Sequence, residues 1–558
     1  MSQMSGAEAM VRMLQLHGVK HIFGLCGDTS LPFYDALCRL DHGMQHILTR
    51  DERSAAYMAD GYARVSGRVG VCEGPSGGGA TYLLPGIVEA NESSIAVLGI
   101  TTDIATTSRG RYTLTELDQE ALYRPLTKRS EVIDRADRLP EAVRRAFRAM
   151  TTGRPGAAHL GLPFDVQNAE VPKEAVWANS GHGFFPSSRA APEEGSIKRA
   201  AAALAAARMP IFICGGGVVI AGAQEELAAV ATLLGAPVAT TVSGQGSLAE
   251  DHPLCLGVVG SNGGTLPTRE VLSRADLVVF IGCRAGSVTT ERWRYPAPGI
   301  PVVHIDADPM VPGAIYKTDV ALDCDAKLAL GALLAELGKQ NPRHGKELVK
   351  NAKDRKFSEF RALAIKDDIP ILPERIVATL HEILPRDAVV VCDPGTPCPY
   401  FSAYYEFREA GRHFISNRAH GALGYAMAAS VGAHFGRPQS KTVAVMGDGS
   451  FGFTAGELET IVRLRVPVLM VVISNGSYGW IKAGQKSGFG QRYYSVDFSR
   501  TDHARVAEAF GVKAWRVERP EDLKPALAAA AEHGGPALVD IITQPLHEAR
   551  APVSEWVA

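Results

Sequence analysis

The segment Val443–Trp480 constrains the fold more than any other part of the chain. A short apolar run, Val443–Met446, precedes a stretch with helical spacing, Glu457–Leu464, and a second apolar run follows at Pro467–Ile473. Continuous apolar runs of this length are typical of strands that are buried on both faces of a parallel sheet. The segment therefore predicts a βαβ unit with a right-handed crossover.

Polar residues follow both predicted strands. Asp448 comes after the first strand and Asn475 after the second, and parallel strands bring their carboxyl ends to the same edge of a sheet. Gly447 and Gly449 flank Asp448, which lets backbone N–H groups approach a phosphate beside the positive end of the next helix. A carboxylate beside a diphosphate requires a cation, and Mg²⁺ prefers such oxygen ligands. We therefore predict a magnesium and diphosphate site at this edge.

The same letters, Gly447–Gly452, also spell the dinucleotide motif GxGxxG. That motif is completed by an acidic residue near the end of the next strand, where it binds a ribose hydroxyl. Here the strand ends in Ser474 and Asn475 instead. A plain turn with a solvent-facing asparagine is a further alternative. The magnesium interpretation is the one that accounts for both strand ends.

The spacing of these residues resembles the diphosphate-binding signature of thiamine-diphosphate (ThDP) enzymes. In that signature Gly-Asp-Gly is followed by an asparagine and then by a backbone carbonyl that also binds the metal. The usual pattern has two asparagines where this chain has Ser474-Asn475, and the metal ligand corresponds to the second. The resemblance implies metal ligands at Asp448, Asn475 and Ser477, and cofactor contacts from Gly447, Gly449 and Ser450.

Length and composition indicate a multidomain globular protein. The 558 residues correspond to about three to four domains. A net charge of −2 gives no basic footprint for nucleic acid, and no apolar run is long enough to cross a membrane. The nine cysteines are scattered without CxxC pairs, which favours a reducing compartment. We expect no nucleic-acid or membrane partner, no export signal and a cytoplasmic location.

Alternating helix and strand signals predict an α/β protein with three doubly wound parallel-sheet domains. Residues 166–195 are rich in Pro, Ser and Gly and are interpreted as a linker, and residues 481–497 as a mobile lid. Under the resemblance, the predicted parts are a ThDP pyrimidine-binding domain (1–165), a middle domain (190–340), a ThDP diphosphate-binding domain (370–545) and a C-terminal tail (546–558).

Glu52 follows the predicted strand His46–Thr49 and begins an alanine-rich helical segment. From the sequence alone, it is a glutamate that stabilises a helix N-terminus, worth typically about 0.3–1 kcal/mol. The resemblance implies a different role, because the family's pyrimidine domain has a strand, a glutamate and an alanine-rich helix in this order. That glutamate hydrogen-bonds N1′ of the cofactor's aminopyrimidine ring. Burial would raise the pKa of Glu52, which suits proton sharing with the cofactor.

Two loops of the first domain carry further candidates. Gly24–Leu31 resembles a family loop in which Asp28 would be an active-site acid, although Asp28 as the N-cap of a helix Leu31–Leu40 is an equal alternative. Leu117–Lys128 resembles a segment of acetolactate synthases, in which Gln119 would face the substrate. Asp118 stands where those enzymes have phenylalanine, so the pocket wall is altered.

The second half of the chain adds residues that depend on the resemblance alone. Gly421 and Leu423 match a stretch in which the bulky residue wedges the cofactor into a bent shape and the glycine carbonyl binds the 4′-amine. Thr396, in the loop Asp393–Pro399, is expected to reach the diphosphate.

The predicted middle domain resembles the one that holds FAD or ADP in some relatives and nothing in others. The matching segments are Gly215–Gly217, Gly282–Arg284 and Asp306–Asp308. Acetolactate synthases carry a second arginine after the one matching Arg284, near the carboxylate of the second keto acid. This chain reads Arg284-Ala-Gly-Ser-Val-Thr, without a second arginine, which weakens a strict acetolactate synthase assignment.

Together these resemblances imply a ThDP- and Mg²⁺-dependent enzyme that acts on a 2-oxo acid as a carboligase or decarboxylase, like acetolactate synthase. They also imply a homodimer or homotetramer, with Glu52 of one subunit facing the diphosphate domain of another. One alternative is a ThDP-dependent hydrolase or lyase that cleaves a C–C bond next to a carbonyl, in a cyclic dione or a 2-hydroxyacyl-CoA. Another is a non-catalytic nucleotide-binding protein that uses the glycine-rich turns.

Overall fold

A computed structural model describes residues 3–556, in which three six-stranded parallel sheets carry helices on both faces. Of the described residues, 3–188, 419–439 and 454–466 form one compact unit, and the others form a second unit. The predicted α/β class with three doubly wound sheets is confirmed. The predicted domain boundaries stay predictions. Residues 1 and 2 of the predicted first domain and residues 557 and 558 of the predicted tail lie outside the described residues.

The first sheet has the strand order β3-β2-β4-β5-β7-β6, with all neighbours parallel. Strands β1 and β8 pair antiparallel outside it. The elements of this region are β1 (Gln3–Ser5), α1 (Gly6–Leu16), β2 (His21–Gly24), α2 (Leu31–Arg39), β3 (Gln45–Leu48), α3 (Glu52–Ser66), β4 (Gly70–Gly74), α4 (Gly78–Tyr82), α5 (Leu84–Glu92), β5 (Val97–Asp103), α6 (Gln119–Tyr123), β6 (Arg129–Val132), α7 (Leu139–Thr151), β7 (Ala158–Pro163), α8 (Phe164–Asn168) and β8 (Glu170–Pro172).

The second sheet has the order β11-β10-β9-β12-β13-β14, again with all neighbours parallel. Its strand β12 has five buried apolar residues in succession, as a strand covered on both faces requires. The elements are α9 (Glu194–Ala206), β9 (Pro210–Cys214), α10 (Gly216–Ala221), α11 (Gln224–Leu234), β10 (Val238–Thr240), β11 (Cys255–Val258), α12 (Leu266–Leu272), β12 (Leu277–Ile281), β13 (Val302–Asp306), β14 (Val320–Asp323), α13 (Ala326–Leu337) and α14 (Gly345–Ala364).

The third sheet has the parallel order β16-β15-β17-β18-β20-β19. The βαβ unit predicted from Val443–Trp480 is present as β17, two short helices and β18. The elements are α15 (Pro373–Ile383), β15 (Val389–Cys392), α16 (Pro397–Tyr404), β16 (Phe414–Ser416), α17 (Tyr425–Gly436), β17 (Thr442–Gly447), α18 (Asp448–Thr454), α19 (Glu457–Arg463), β18 (Leu469–Ser474), α20 (Gly479–Gly488), α21 (His503–Ala509), β19 (Lys513–Val517), α22 (Pro520–Glu532) and β20 (Ala537–Ile542).

Helix α17 packs against α3 within the first compact unit, although the two helices are far apart in the sequence. A Cβ on Gly61 would lie 2.2 Å from the Ala429 carbonyl oxygen, and one on Gly432 would lie 1.8 Å from that of Met58. Glycine at these positions therefore allows the two helix backbones to touch. The buried alanines on α3 serve the same close approach.

Two segments are more regular than the sequence predicted. The linker predicted at 166–195 contains most of α8 and all of β8, because Val171 is buried and β8 pairs with β1. The lid predicted at 481–497 begins as the helix α20, whose Ala483 is buried. Within residues 3–556 no helix is both long and apolar enough to cross a membrane.

Candidate active site

Asp448 lies at the carboxyl end of β17, where α18 begins, and it is 6% exposed. Its Oδ2 accepts the N–H groups of Asn475 (2.8 Å) and Gly476 (2.7 Å), and Oδ1 accepts that of Gly449 (2.9 Å). Burial raises the pKa of Asp448, and the three N–H donors oppose that shift by stabilising the carboxylate. The loop after β18 therefore holds Asp448 in a fixed orientation, with lone pairs left for a cation.

Asn475 and Ser477 follow β18 and contact each other. The Asn475 side-chain oxygen accepts the Ser477 backbone N–H and hydroxyl, each at 3.1 Å. Asp448, Asn475 and Ser477 thus come together at the edge where β17 and β18 end, as the strand pairing predicts. The structure brings the three predicted metal ligands into one cluster.

Thr396 and the flanking glycines lie around this cluster. A Cβ on Gly479 would lie 3.1 Å from Thr396 Oγ1 and 3.3 Å from Asn475 Nδ2. The threonine and the asparagine therefore both lie close to Gly479, the first residue of α20. A Cβ on Gly449 would overlap the Tyr478 ring at 2.8 Å, whereas one on Gly447 would meet no protein atom within 4 Å. Ser450 is buried in the first turn of α18. The space at Gly447 is therefore open to a phosphate.

These residues fit the cofactor that the sequence implies. Carboxylate, amide and carbonyl oxygens are hard ligands that suit Mg²⁺, which takes one or two protein carboxylates and completes its shell with phosphate and water. Within residues 3–556 no group of three or more His, Cys, Asp and Glu side chains could hold a metal. A site with the single carboxylate of Asp448 thus depends on a phosphate ligand to bind Mg²⁺ firmly.

A buried polar network beneath Asn475 was missed by the sequence analysis. The Ser474 hydroxyl donates to Asp540 Oδ1 (2.5 Å) and lies 3.1 Å from His503 Nδ1. Asp540 also accepts the His503 backbone N–H and is fully buried on β20. These contacts fix the end of β18 one residue before Asn475, the predicted metal ligand. An aspartate inside the otherwise apolar run Ala537–Ile542 was the available signal.

Glu52 is the first residue of α3, and its side chain is buried at 7% exposure. A Cβ on Gly74 would lie 3.1 Å from Glu52 Cγ, and one on Gly79 would lie 3.0 Å from Glu52 Oε1. Burial raises the pKa of Glu52, a backbone hydrogen bond opposes this shift, and the negative charges of Asp51 and Glu73 add to it. This environment favours a carboxyl group that holds a proton, as expected for a group that shares one with a cofactor.

The residues around the predicted wedge lie in the loop that precedes α17. Gly421 is exposed and has a φ of +76°, which a glycine adopts without strain. Leu423 is half-buried rather than part of a core. The His420 backbone N–H donates to Glu89 Oε2 at 2.7 Å, which fixes the start of the loop. The wedge role itself stays a prediction.

Asp28 and Gln119 have different surroundings. Asp28 is exposed and begins a short 3₁₀ turn, while Ser30 is the N-cap of α2. The N-cap alternative for Asp28 is therefore wrong, and its role as an active-site acid stays a prediction. Gln119 is buried, accepts from the Thr101 hydroxyl and donates to the Thr102 carbonyl at 3.0 Å. Its amide is thus held in a protein network, and the predicted substrate contact is untested.

The glycine-rich turns of the middle region meet at the switch point between β9 and β12. A Cβ on Gly215 would lie 2.1 Å from the Gly282 carbonyl oxygen, so the two strand ends touch. Open α/β sheets bind ligands at such points. Arg284, which follows, is exposed.

The fold and the site together define a class of protein. Three doubly wound sheets, a strand-end cluster of oxygen ligands beside an open glycine turn, and a buried glutamate at a helix start describe an enzyme with a diphosphate cofactor. Three family descriptions match the chain: the N-terminal TPP binding domain of thiamine pyrophosphate enzymes over residues 4–122, their central domain over 197–333, and their C-terminal TPP binding domain over 393–541.

Similar proteins cover nearly the full chain. A probable acetolactate synthase large subunit of Methanocaldococcus jannaschii is 36% identical over 561 residues, 97% of this chain and 92% of that protein. One of Methanococcus aeolicus is 35% identical with the same coverage. Acetolactate synthase isozyme 3 large subunit of Escherichia coli K12 is 31% identical over 95% of this chain and 93% of its own length. The chain belongs to the thiamine pyrophosphate enzyme family, and its predicted membership is confirmed.

Proposed function

We propose that this protein is a ThDP- and Mg²⁺-dependent carboligase or decarboxylase that acts on a 2-oxo acid, in the manner of acetolactate synthase. The observation that carries the proposal is the cluster of Asp448, Asn475 and Ser477 at the shared edge of β17 and β18. The names of the similar proteins, acetolactate synthases at 31–36% identity, support a 2-oxo acid substrate.

The diphosphate end is assigned to residues of the third sheet. Asp448, the Asn475 side-chain oxygen and the Ser477 carbonyl would bind Mg²⁺, and the metal would be shared with the two phosphates. Gly447 leaves room for the phosphates, Gly449 would contact them through its backbone, and Thr396 and Ser450 would act as hydroxyl donors. The N-terminal end of α18 adds its favourable dipole to an anion bound there.

The ring end is assigned to Glu52, which would donate its proton to N1′ of the aminopyrimidine. When bound, ThDP supplies a nucleophilic carbon for attack on the 2-oxo acid carbonyl and a sink for the electrons that remain when CO₂ leaves. Leu423 would support the bent cofactor, and the Gly421 carbonyl would accept from its 4′-amine. Gln119 and Asp28 would lie on the substrate side.

Several finer assignments complete the proposal. The working unit is a homodimer or homotetramer in which Glu52 of one subunit faces the diphosphate site of another. The glycine turns at Gly215 and Gly282 would hold FAD or ADP. The absorption spectrum of the purified protein would distinguish FAD from ADP. The location is cytoplasmic, since the cysteines are unpaired.

A second candidate function is a ThDP-dependent lyase or hydrolase that cleaves a C–C bond beside a carbonyl. The observation that favours it is the run Ala285-Gly286-Ser287, which lacks the arginine that the acetolactate synthase pattern would place there for the second keto acid. Without that cation, the carboxylate of a second keto acid has one charge partner fewer.

The test is product analysis of the purified protein with ThDP and Mg²⁺. Pyruvate and a panel of longer 2-oxo acids should give CO₂ together with an aldehyde or a condensed hydroxy acid, and omission of either cofactor should abolish the reaction. Release of no CO₂ from any 2-oxo acid, with cleavage of a cyclic dione or 2-hydroxyacyl-CoA, would establish the lyase alternative. Failure to bind ThDP in the presence of Mg²⁺ would refute both.

A further inference from the structure

Three titratable side chains form a cluster at the switch point between β2 and β4 of the first sheet, and the proposed function does not use them. Glu73, near the end of β4, is 1% exposed. The Tyr34 hydroxyl on α2 donates to Glu73 Oε1, and His46 Nε2 on β3 lies 3.2 Å from the same oxygen. The second oxygen of Glu73, Oε2, is buried with no hydrogen-bond partner in residues 3–556.

The first sheet is shaped to admit this carboxyl group. A Cβ on Gly24, which pairs with Glu73 across β2 and β4, would lie 2.2 Å from Glu73 Oε1. Any larger residue at position 24 would displace the glutamate. Burial raises the pKa of Glu73, while His46 and Tyr34 act in the opposite direction. A buried carboxyl that is satisfied on one oxygen only costs stability, which indicates a role other than packing.

The residue that follows Glu73 in β4 packs against Glu52. Gly74, the residue after Glu73, is the one whose Cβ would lie 3.1 Å from Glu52 Cγ. The charge on Glu73 acts on Glu52, and the charge on Glu52 acts on Tyr34. The titratable groups that face this pair from the surrounding elements are Cys26 in the loop after β2, Tyr34 on α2, His46 on β3 and Asp51 before α3.

We propose that Glu73, held by Tyr34 and His46, is a positioning residue that keeps Glu52 in its proton-carrying form. Two neighbouring buried carboxyl groups resist being ionised together, so the pair retains a proton that an isolated glutamate would lose. The His46 side chain is 19% exposed, which gives the cluster a connection to solvent. The inference rests on the proposed function, in which Glu52 shares its proton with N1′ of ThDP.

The proposal predicts the direction in which the pH dependence of ThDP binding should shift. Glu52 must carry a proton to bind N1′, so ThDP affinity falls as the pH rises through the pKa of Glu52. A negative charge on Glu73 raises that pKa and extends tight binding to higher pH. Replacement of Glu73 by glutamine removes the charge and keeps the shape. The fall in affinity should then occur at lower pH, by up to about one unit, which is the low end of the shift that a charge in close contact produces.

The experiment is a calorimetric titration of the full-length protein with ThDP in excess Mg²⁺, from about pH 5 to about pH 9, around the usual carboxyl and imidazole pKa values. The variants are Glu73→Gln, Tyr34→Phe and Glu52→Gln. Glu374→Gln is the matched control, because Glu374 is a 2% exposed carboxyl whose pKa burial also raises, on α15 of the other compact unit. Circular dichroism checks that each variant folds.

We call the fall in ThDP affinity with rising pH the alkaline limb of the binding curve. In Glu73→Gln this limb should move to lower pH. In Tyr34→Phe it should move less in the same direction, because that variant loses the hydrogen bond that favours ionised Glu73. Glu374→Gln should keep the wild-type limb. If Glu73→Gln does not fold, Tyr34→Phe decides the question alone. A folded variant with the wild-type limb overturns the inference, provided that Glu52→Gln abolishes the limb. If Glu52→Gln keeps the limb as well, Glu52 is not the proton carrier, and the proposed function loses its ring-end assignment too.

Discussion

Asp448 and Glu52 are both buried carboxyl groups at the start of a helix, yet their surroundings differ. Asp448 accepts three backbone N–H groups, which stabilise its charged form against the effect of burial. Glu52 lies between glycines and has the negative charges of Asp51 and Glu73 nearby, which add to the effect of burial. The pKa is raised at both sites, but three N–H donors oppose the shift at Asp448 and one backbone hydrogen bond opposes it at Glu52, so Asp448 is the better prepared of the two to be an anion.

The difference shows that the environment assigns the role of a carboxyl group. Bound Mg²⁺ would stabilise the Asp448 carboxylate further, so a neutral amide cannot replace it. Glu52 has to exchange a proton, so an amide of the same shape keeps the contact but loses the chemistry. Substitutions at the two sites should therefore affect different measurements, turnover at Glu52 and cofactor affinity at Asp448.

The largest effect is expected for Glu52→Gln. At saturating ThDP and Mg²⁺, turnover of a 2-oxo acid should fall by about 10²–10⁴-fold, the usual contribution of a positioned acid or base. ThDP affinity at low pH should change much less, because glutamine keeps a donor for N1′. Glu92→Gln, at a more exposed glutamate on α5, is the control and should keep wild-type turnover. Wild-type turnover in Glu52→Gln would remove the contrast between the two carboxyl groups.

Asp448→Asn should act on binding instead. We expect a loss of about 100-fold or more in ThDP affinity in the presence of Mg²⁺, because a metal held by one protein carboxylate loses its charged ligand. Calorimetry with and without Mg²⁺ measures the effect, and the dependence of ThDP binding on Mg²⁺ should disappear. Asp354→Asn, at an exposed aspartate on α14, is the control. Unchanged affinity in Asp448→Asn would place the metal elsewhere.

The diphosphate end was the more predictable of the two sites. Its residues follow two strands that are consecutive in the sequence, so the rules of parallel sheets are sufficient to place them together. Glu52 gave no such signal, because it packs against Gly74 and Gly79, which come from β4 and from the helix α4 that follows it. For the same reason the sequence could not show that the charge of Glu73 acts on Glu52 or that Gln119 is held by Thr101 and Thr102.

The fold was predicted well where apolar runs were long and less well where pairing was remote. The predicted apolar strands Val443–Met446 and Pro467–Ile473 agree with β17 and β18 to within about two residues at each end. The pairing of β1 with β8 was missed, since two three-residue strands far apart in the sequence carry no periodic signal. The N-cap interpretation of Asp28 failed because the chain inserts a 3₁₀ turn before α2, which the sequence does not mark.

Gly447→Ala should weaken ThDP binding at the diphosphate end less than Asp448→Asn does. A Cβ at this position meets no protein atom within 4 Å, so folding should be unaffected, but a bound phosphate would be pushed away. We expect a loss of about tenfold in ThDP affinity, equal to about 1.4 kcal/mol of binding free energy, with an unchanged melting temperature. Gly452→Ala is the matched control, since its Cβ is also unobstructed and it lies within α18, after the strand end at Gly447. Equal affinity in both variants would place the phosphates away from β17.

The smallest effect on ThDP affinity is expected for Ser474→Ala. This variant tests a residue that stabilises the end of β18 and is not itself a predicted cofactor ligand. Loss of the hydroxyl leaves Asp540 one donor short, so the free energy of unfolding should fall by about 1–2 kcal/mol. ThDP affinity should fall only a few-fold, because Asn475 keeps its backbone bond to Asp448. Ser440→Ala is the control, since the Ser440 hydroxyl likewise donates to an aspartate, Asp387, at 3.0 Å but lies before β17, away from the metal ligands. Urea unfolding and calorimetry on both variants give the comparison: a similar loss of stability in the two, with weaker ThDP binding in Ser474→Ala alone. A loss of affinity in both variants would mean that general destabilisation, and not the end of β18, controls cofactor binding.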